Sequence, residues 1–389
     1  MTTATVSERE LVLSVGDTTF LDYGKIIAKR EGYGPTGNGG NGLILHSALA
    51  IEPEHGQPLG LLWQKLWNRQ HKPKLPADET PRQKKQRREL ARIAARKRPF
   101  EQKESYRWVE ALKTVDQQVG ASTRVIHVFD REGDIAEVFE QVRQLEHTGV
   151  IVRAAHDRSL DSSCERLWAK LEAQPLKFYQ DIEIPKTGTQ AARTAKMAVR
   201  FCQVCLRTPY RFDNRDPLPV YAVYACEVDC PEGATPLSWM LLTTEAVTTV
   251  EIAVTILRWY SYRWRVEEYH KIFKSGTQVE RYRLAADGMK TLLGFLSVIA
   301  AELLQLTYLH RTQPEASVEL VLNPTQIAVL KAKSPQPPKV LTVAWALEAV
   351  ARLGGYLEHR RKTPIGIQVL WRGWLKLQDL CDGWHLAQT

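Results

Sequence analysis

The segment STRVIHVFD, residues 122–130, constrains the fold more than any other stretch of the chain. It is short, β-branched and apolar almost throughout, so it reads as a strand buried on both faces. It stops at an acid, Asp130. Beyond it Ile135, Val138, Phe139, Val142 and Leu145 recur at helical spacing, and Asp134 with Glu137 has the spacing of a capping box. A further apolar strand, GVIVRAA at 149–155, comes after that helix. Asp130 therefore falls where a buried strand runs out and a helix is about to begin. In open α/β sheets that is where ligand chemistry gathers.

The rest of the chain is consistent with an α/β class. ELVLSVGDTTFLDY, residues 10–23, is a strand with Asp17 in its middle. The glycine cluster from Tyr33 to Gly42 lacks the GK[ST] ending of a phosphate loop and predicts a hairpin connection. Residues 43–51 and 59–67 are two more strands, so the first part predicts an antiparallel meander. Residues 82–98 hold nine basic side chains and one acid, a strongly cationic helix expected to continue to about Val115. From 160 to 247 alternating strands dominate, which predicts an antiparallel β insertion. Helices resume at 248 and run to about 310, and a Pro-rich break at 334–339 precedes a helical tail carrying Trp371, Trp374 and Trp384. The expected division is 1–159 and 248–330 as one mixed-sheet core, 160–247 as the β insertion, and 331–389 as a C-terminal helical segment suited to dimerisation.

Composition narrows the partners. Lys plus Arg is 53 against 44 acids, a formal charge of +9, which favours a polyanion, though weakly. Six cysteines in 389 residues, with no basic-then-apolar leader at the start, predict reduced thiols and a cytoplasmic protein. Cys202, Cys205, Cys226 and Cys230 superficially resemble a zinc ribbon, but their surroundings are strand-like and residues three apart on a strand face opposite ways. The longest apolar run, from Thr291, carries Glu302 and Gln305, so a core helix is expected there and no membrane span.

YSYRWRVEEYHKIFK, residues 260–274, places Tyr260, Arg263, Glu267 and Lys274 at offsets of 3, 7 and 14, one stripe if the segment is a single helix. An acid flanked by a phenol and two cations suits phosphate chemistry, the acid holding a metal and the cations holding nonbridging oxygens. By itself such a stripe is more simply an exposed helix laced with ion pairs. Together, an Asp in a first strand, an Asp at the end of a later strand and a Glu on a late helix form an RNase H-like acid set. Carboxylates of this kind suit magnesium, and two such ions stabilise the attacking and leaving oxygens of a phosphodiester.

At these residues the chain resembles the DDE transposases of bacterial insertion sequences, in the insertion-sequence-four group. GDTTFLDY resembles the first-Asp strand of that family, VFDREGDI its D-R-E-x-D motif, and YSYRWRVEEYHKIFKSG its Y-x2-R-x3-E-x6-K signature. TPLSWMLLTTE, KVLTVAWALEAVARLGGYL and VLWRGWLKLQDLCDGW are also similar to family segments, so the resemblance runs from about residue 10 to 385. It implies an RNase H-like mixed sheet and cut-and-paste transposition through a hairpin intermediate. It implies Asp17, Asp130 and Glu267 as ligands of two Mg2+ (or Mn2+). It implies Tyr260, Arg263 and Lys274 as phosphate contacts, Trp239 as a ring stacking near a flipped base, and Arg153 and Arg283 as further backbone contacts. The implied partner is double-stranded DNA, both transposon ends and target, bound by a homodimer in the bacterial cytoplasm at the nucleoid. Family members carry an N-terminal end-recognition domain, and here the first catalytic strand begins about ten residues in. The alternative expectation is therefore a truncated derivative that binds DNA or dimerises as an inhibitor without turnover.

Overall fold

The computed structural model describes residues 2–24, 31–37, 39–71, 79–161, 165–184, 192–212, 214, 216–357 and 365–388. The protein is mixed α/β, with both antiparallel and parallel strand pairs and a C-terminal helical segment. The chain divides into two compact units, Met1–Asn68 with Trp264–Thr389, and Arg69–Arg263.

The first unit opens with α1 (Thr2–Ser7), followed by β1 (Leu11–Asp22), β2 (Gly34–Pro35), β3 (Asn41–Ile51) and β4 (Pro58–Trp67). β1 pairs antiparallel with β3, Leu13 opposite Ile51 through Asp22 opposite Gly42. β4 pairs antiparallel along the other edge of β3, which completes the expected meander. The glycine cluster forms the connection, with β2 pairing back on β3, although Asn38 of that cluster lies outside the described residues. Every residue of β3 after Asn41 is buried, as a strand covered on both faces must be. Cover comes from α7 (Trp264–Lys271), packed on β1 and β3, and from α8 (Ala286–Thr312), packed on β4.

By length and composition α8 is apolar enough to cross a membrane, but half of its most apolar stretch is buried within the unit. Burial pushes the Glu302 carboxyl on α8 above its usual range, and the Trp374 indole nearby pulls the other way. The tail is α9 (Pro324–Lys333), α10 (Val343–Leu353) and α11 (Ile367–Leu386). α10 and α11 approach so closely that a Cβ on Gly373 would sit 1.9 Å from the Val350 carbonyl oxygen. Trp371 and Trp374 are buried inside this unit, whereas Trp384 is 37% exposed.

The second unit contains α2 (Pro81–Lys97), α3 (Tyr106–Val119), β5 (Arg124–Phe129), α4 (Ala136–Val142), β6 (Thr148–Arg153) and α5 (Leu167–Glu172). It continues with β7 (Phe178–Ile184), β8 (Arg193–Leu206), β9 (Leu218–Glu227), β10 (Ser238–Thr243) and α6 (Val250–Ser261). β5 and β6 are parallel, Phe129 opposite Val152. β7, β8, β9 and β10 are antiparallel neighbours, and β10 pairs antiparallel with β6, Leu241 opposite Arg153. The strands between 160 and 247 thus extend the sheet that β5 and β6 begin. α3 buries Trp108, Val109 and Leu112 against Phe129, Val138 and Val152, with the Trp108 and Phe129 rings 4.7 Å apart.

Two local expectations are corrected. The cationic helix does not run on to Val115. It ends at Lys97, and Arg98 turns extended (ψ 129°) before Pro99, which bars α geometry for the preceding residue and cannot donate to a helical ladder. Asp134 does not cap α4 either. Ile135 holds the N-cap position without a side-chain bond, and Glu137 pairs with Arg211. The Asp134 carboxylate points instead at the chain beyond β6, accepting from the backbone N–H groups of Ala155 (2.8 Å) and His156 (3.2 Å) and from Arg158 Nε (2.9 Å).

His127, in the middle of β5, is fully buried, and neither ring nitrogen finds a hydrogen-bond partner among the described residues. Burial lowers its pKa from 6.5 to about 3. Above pH 6.5 the ring is neutral folded or unfolded, and no penalty arises. As pH falls from 6.5 toward 3, the unfolded chain takes a proton that the folded one refuses, so stability drops by about 1.4 kcal/mol per pH unit. His127→Leu, of similar volume, is expected to remove that slope, as read from urea unfolding midpoints at about pH 6 and pH 4. An unchanged slope in the variant would show that the ring is not held neutral.

Candidate active site

Two edges meet at the carboxyl end of the parallel strands in the second unit. β5 delivers Asp130, half-buried, and β6 delivers Arg153. Asp130 Oδ1 accepts the Glu132 N–H at 2.9 Å, which caps a 3-10 turn over Arg131–Gly133. That turn is tied down by the ion pair of Glu132 with Arg107, whose guanidinium is itself largely desolvated. Arg153 donates to the Ser238 carbonyl at 2.7 Å, a contact that the β10–β6 pairing brings within reach.

The end of α6 closes this cluster. Tyr260 is 3% exposed, and its ring meets the Trp239 ring edge-on at a centroid distance of 4.9 Å. Its hydroxyl feels the charges of the Arg153 and Arg263 guanidiniums. Burial pushes the Tyr260 hydroxyl above its ordinary pKa, Arg263 and Arg153 pull the other way, and the Asp130 charge adds to the rise. Burial also lowers Arg153, with the like charges of Arg131 and Arg263 acting in the same direction. Beside them a recess of about 240 Å³ is lined by Arg131, Arg153, Trp168, Tyr224 and Ser238. One carboxylate and three guanidiniums around a buried phenol make a site for a bound oxyanion, since guanidinium forks match phosphate and carboxylate geometry.

Trp239, which the family resemblance implies as a ring stacking near a flipped base, lies in β10 against Tyr260. Its ring is 2% exposed and packs under Tyr260, so in this conformation neither face is open for a base to stack upon. What it supplies is a fixed wall for the phenol. Arg131 was not singled out from the sequence, although it stands inside the D-R-E-x-D motif. The signal was there, but only the fold turns that side chain toward Arg153.

The single-helix stripe is also corrected. α6 ends at Ser261, and α7 begins at Trp264. The Ser261 hydroxyl donates back to the Arg258 carbonyl at 2.7 Å, and the N–H groups of Tyr262 and Arg263 bond three residues back, to Trp259 (3.2 Å) and Tyr260 (3.0 Å). Side-chain competition for a backbone carbonyl and an aromatic-rich sequence both weaken a helix there. Tyr260 and Arg263 consequently belong to the second unit, and Glu267 and Lys274 to the first.

In the first unit, Asp17 is half-buried on β1 opposite the buried Ser47, and its Oδ1 accepts the Thr18 N–H at 2.7 Å. Glu267 is exposed in the first turn of α7, the helix that packs on β1. After Lys271 the helix widens into a π turn over Ile272–Gly276, closed by the Thr277 N–H to the Ile272 carbonyl at 3.0 Å. Such turns recur at functional sites. Lys274 on this turn faces Glu280 at 3.9 Å, and Glu280 in turn accepts the Asp22 N–H at 2.9 Å. The reversal is made by Gln278, held in the left-handed region at φ 54°. Arg283 lies exposed in the extended stretch before α8.

The donor chemistry of Asp17, Asp130 and Glu267, all carboxylate oxygen, is that of a hard divalent ion. Asp17 and Glu267 belong to one unit and Asp130 to the other, and among the described residues no group of three or more His, Cys, Asp or Glu side chains gathers as a metal site. Compared with models of known protein families, the chain matches none.

Proposed function

We propose that this protein is a metal-dependent DNA transposase with an RNase H-like core, cutting and rejoining phosphodiester bonds at transposon ends. The observation that carries the reading is the placement of Asp130 at the carboxyl end of β5, beside a guanidinium cluster of Arg131, Arg153 and Arg263 organised around Tyr260. A nuclease of a polyanion needs those two things together, a carboxylate for a metal and fixed cations for nonbridging oxygens. The motif resemblance around Asp17, Asp130 and Glu267 supports the same reading.

In this reading Asp17, Asp130 and Glu267 would hold two Mg2+ or Mn2+ ions, which would supply Lewis acidity and a nucleophilic water at neutral pH. Arg153 and Arg263 would orient a phosphate through paired N–H donors, beside the Tyr260 phenol that Trp239 backs. Lys274 contributes a point charge to the backbone, offset by its Glu280 partner until DNA competes for it.

The test is cleavage of supercoiled plasmid carrying the element's ends, with magnesium or manganese, by the wild type and by Glu267→Gln. The variant removes one negative charge at an exposed position and is expected to abolish nicking while duplex binding in a gel-shift assay persists. Cleavage by Glu267→Gln at the wild-type rate would remove Glu267 from the ligand set. No metal-dependent cleavage by the wild type would overturn the enzymatic reading.

A further inference from the structure

α2 does nothing for the interior of its own unit. It is 17 residues long, none of them buried, and every one but Arg87 is exposed. It nevertheless has strong reasons to be a helix. Thr80 and Gln83 form a reciprocal capping box, Pro81 takes the first turn, and Ala, Leu, Gln, Lys and Arg fill the body. Helices usually owe their stability to a packed apolar face, and this one has only Leu90 (60% exposed) and Ile93 (40% exposed) as large apolar residues.

Six of the eight cations of α2 share one side, Arg87 and Lys97 lying off it. At 3.6 residues per turn, Arg82, Lys84, Lys85, Arg88, Arg92 and Arg96 fall within an arc of about 160°, and Leu90, Ile93 and Ala94 lie outside it. Lys84, Arg88, Arg92 and Arg96 form an unbroken i,i+4 row, about 18 Å from end to end. Like charges at that spacing repel and weaken the helix. The row is little relieved from within: Arg92 pairs with Glu89 and Arg87 with Glu79, while Lys84, Arg88 and Arg96 make no ion pair among the described residues. Such a row is stabilised when a regular line of negative charge is laid along it.

We infer that α2 is a phosphate-backbone clamp for duplex DNA, with the row Lys84, Arg88, Arg92 and Arg96 neutralising successive phosphates without reading bases. A membrane surface fits less well, because an interfacial helix needs a broad apolar face with aromatic anchors, and α2 has no aromatic residue. A protein partner fits less well for the same reason, since interface cores are built on apolar and aromatic anchors. The choice of DNA rests on the transposase reading above. The clamp shares no residue with the cluster around Asp130 and is tested by binding alone.

The test uses the full chain, a fluorescein-labelled random-sequence duplex of about 24 bp and anisotropy titrations from about 50 to 200 mM KCl. The quadruple variant K84Q/R88Q/R92Q/R96Q keeps good helix formers and removes four cations. Its plot of log affinity against log salt is expected to be shallower by about 3–4, with affinity at about 100 mM salt down more than tenfold. Circular dichroism should show the helix retained. The charge-preserving triple variant R88K/R92K/R96K is expected to keep the wild-type slope, as is L90A/I93A on the opposite arc. An unchanged slope in the quadruple variant, or loss of binding in L90A/I93A, would overturn the clamp, as would binding to phosphatidylglycerol vesicles without binding to the duplex. Plasmid cleavage scored on the same preparations separates the two conclusions. A lost slope without wild-type cleavage leaves the clamp standing and sinks the transposase reading, and cleavage with an unchanged slope does the reverse.

Discussion

Asp130→Asn is expected to lower metal-dependent DNA cleavage by about a thousandfold while leaving the protein folded and its grip on DNA intact. The substitution separates the two tasks of this side chain. Asp130 Oδ1 caps the turn that follows β5 by accepting the Glu132 N–H, a bond that an asparagine oxygen can also accept. The negative charge is a different matter. A neutral amide is a poor ligand for a divalent ion, and it leaves Arg131, Arg153 and Arg263 without the nearby carboxylate. Duplex binding should therefore persist or tighten slightly while nicking disappears, and the thermal midpoint should stay close to wild type. Asp130→Ala removes the cap as well, so its stability should fall by about 1 kcal/mol in addition to the catalytic loss. Nicking rates on supercoiled plasmid and thermal melts on the same samples decide the matter. Wild-type cleavage by Asp130→Asn would take this residue out of the reaction.

Asp134→Ala should be damaging in the opposite sense, costing the fold about 3–5 kcal/mol. Four residues from Asp130 and in the same motif, this carboxylate has a side chain with no exposure, and it is satisfied by two backbone N–H groups and the Arg158 guanidinium. Deleting it strands a 17% exposed guanidinium and two backbone donors at the exit of β6, next to Arg153. In a unit of this size the thermal midpoint should fall by about 10 °C. Asp134→Asn should cost less, because it keeps an acceptor for the amides while losing the ion pair. If chemical denaturation finds Asp134→Ala within about 0.5 kcal/mol of wild type, the buried network does not hold the loop.

These two aspartates show how far a motif can be read. D-R-E-x-D places both acids in one short stretch, and spacing alone made the second a helix cap. The fold gives Asp134 to the far strand instead, because the parallel pairing of β5 with β6 brings the Ala155 and His156 N–H groups to it. The strands themselves were plain in the sequence. STRVIHVFD and GVIVRAA are apolar on both faces, and a segment with that pattern has few places to go except the middle of a covered sheet. The meander of β1, β3 and β4 was equally legible, since the glycine cluster and the Pro- and Gly-containing stretch at 52–58 supply turn chemistry between the apolar runs.

Helix limits were less legible wherever the breaking signal is local and weak. Pro99 was a sufficient reason to end α2, and it was outweighed by the helical pattern of the residues beyond it. The break between α6 and α7 had no proline or glycine to announce it. It arises where a serine hydroxyl takes a carbonyl and aromatic side chains crowd the turn, a balance of small terms that spacing does not register.

From the sequence alone came the classes of residue and the elements that carry them: a buried strand ending in an acid, an acid within a first strand, a cationic helix with nothing to bury, and an α/β architecture. Periodicity and charge are properties of the chain, and they survive any choice of packing. Only the tertiary structure decided which cations face Tyr260, that Trp239 is walled in beneath it, that Lys274 meets Glu280, and that Asp134 belongs to the core rather than to a helix end. Those outcomes depend on strand register and on which helix covers which face, and contacts between residues far apart in the chain are set by burial of the whole unit rather than by any local pattern.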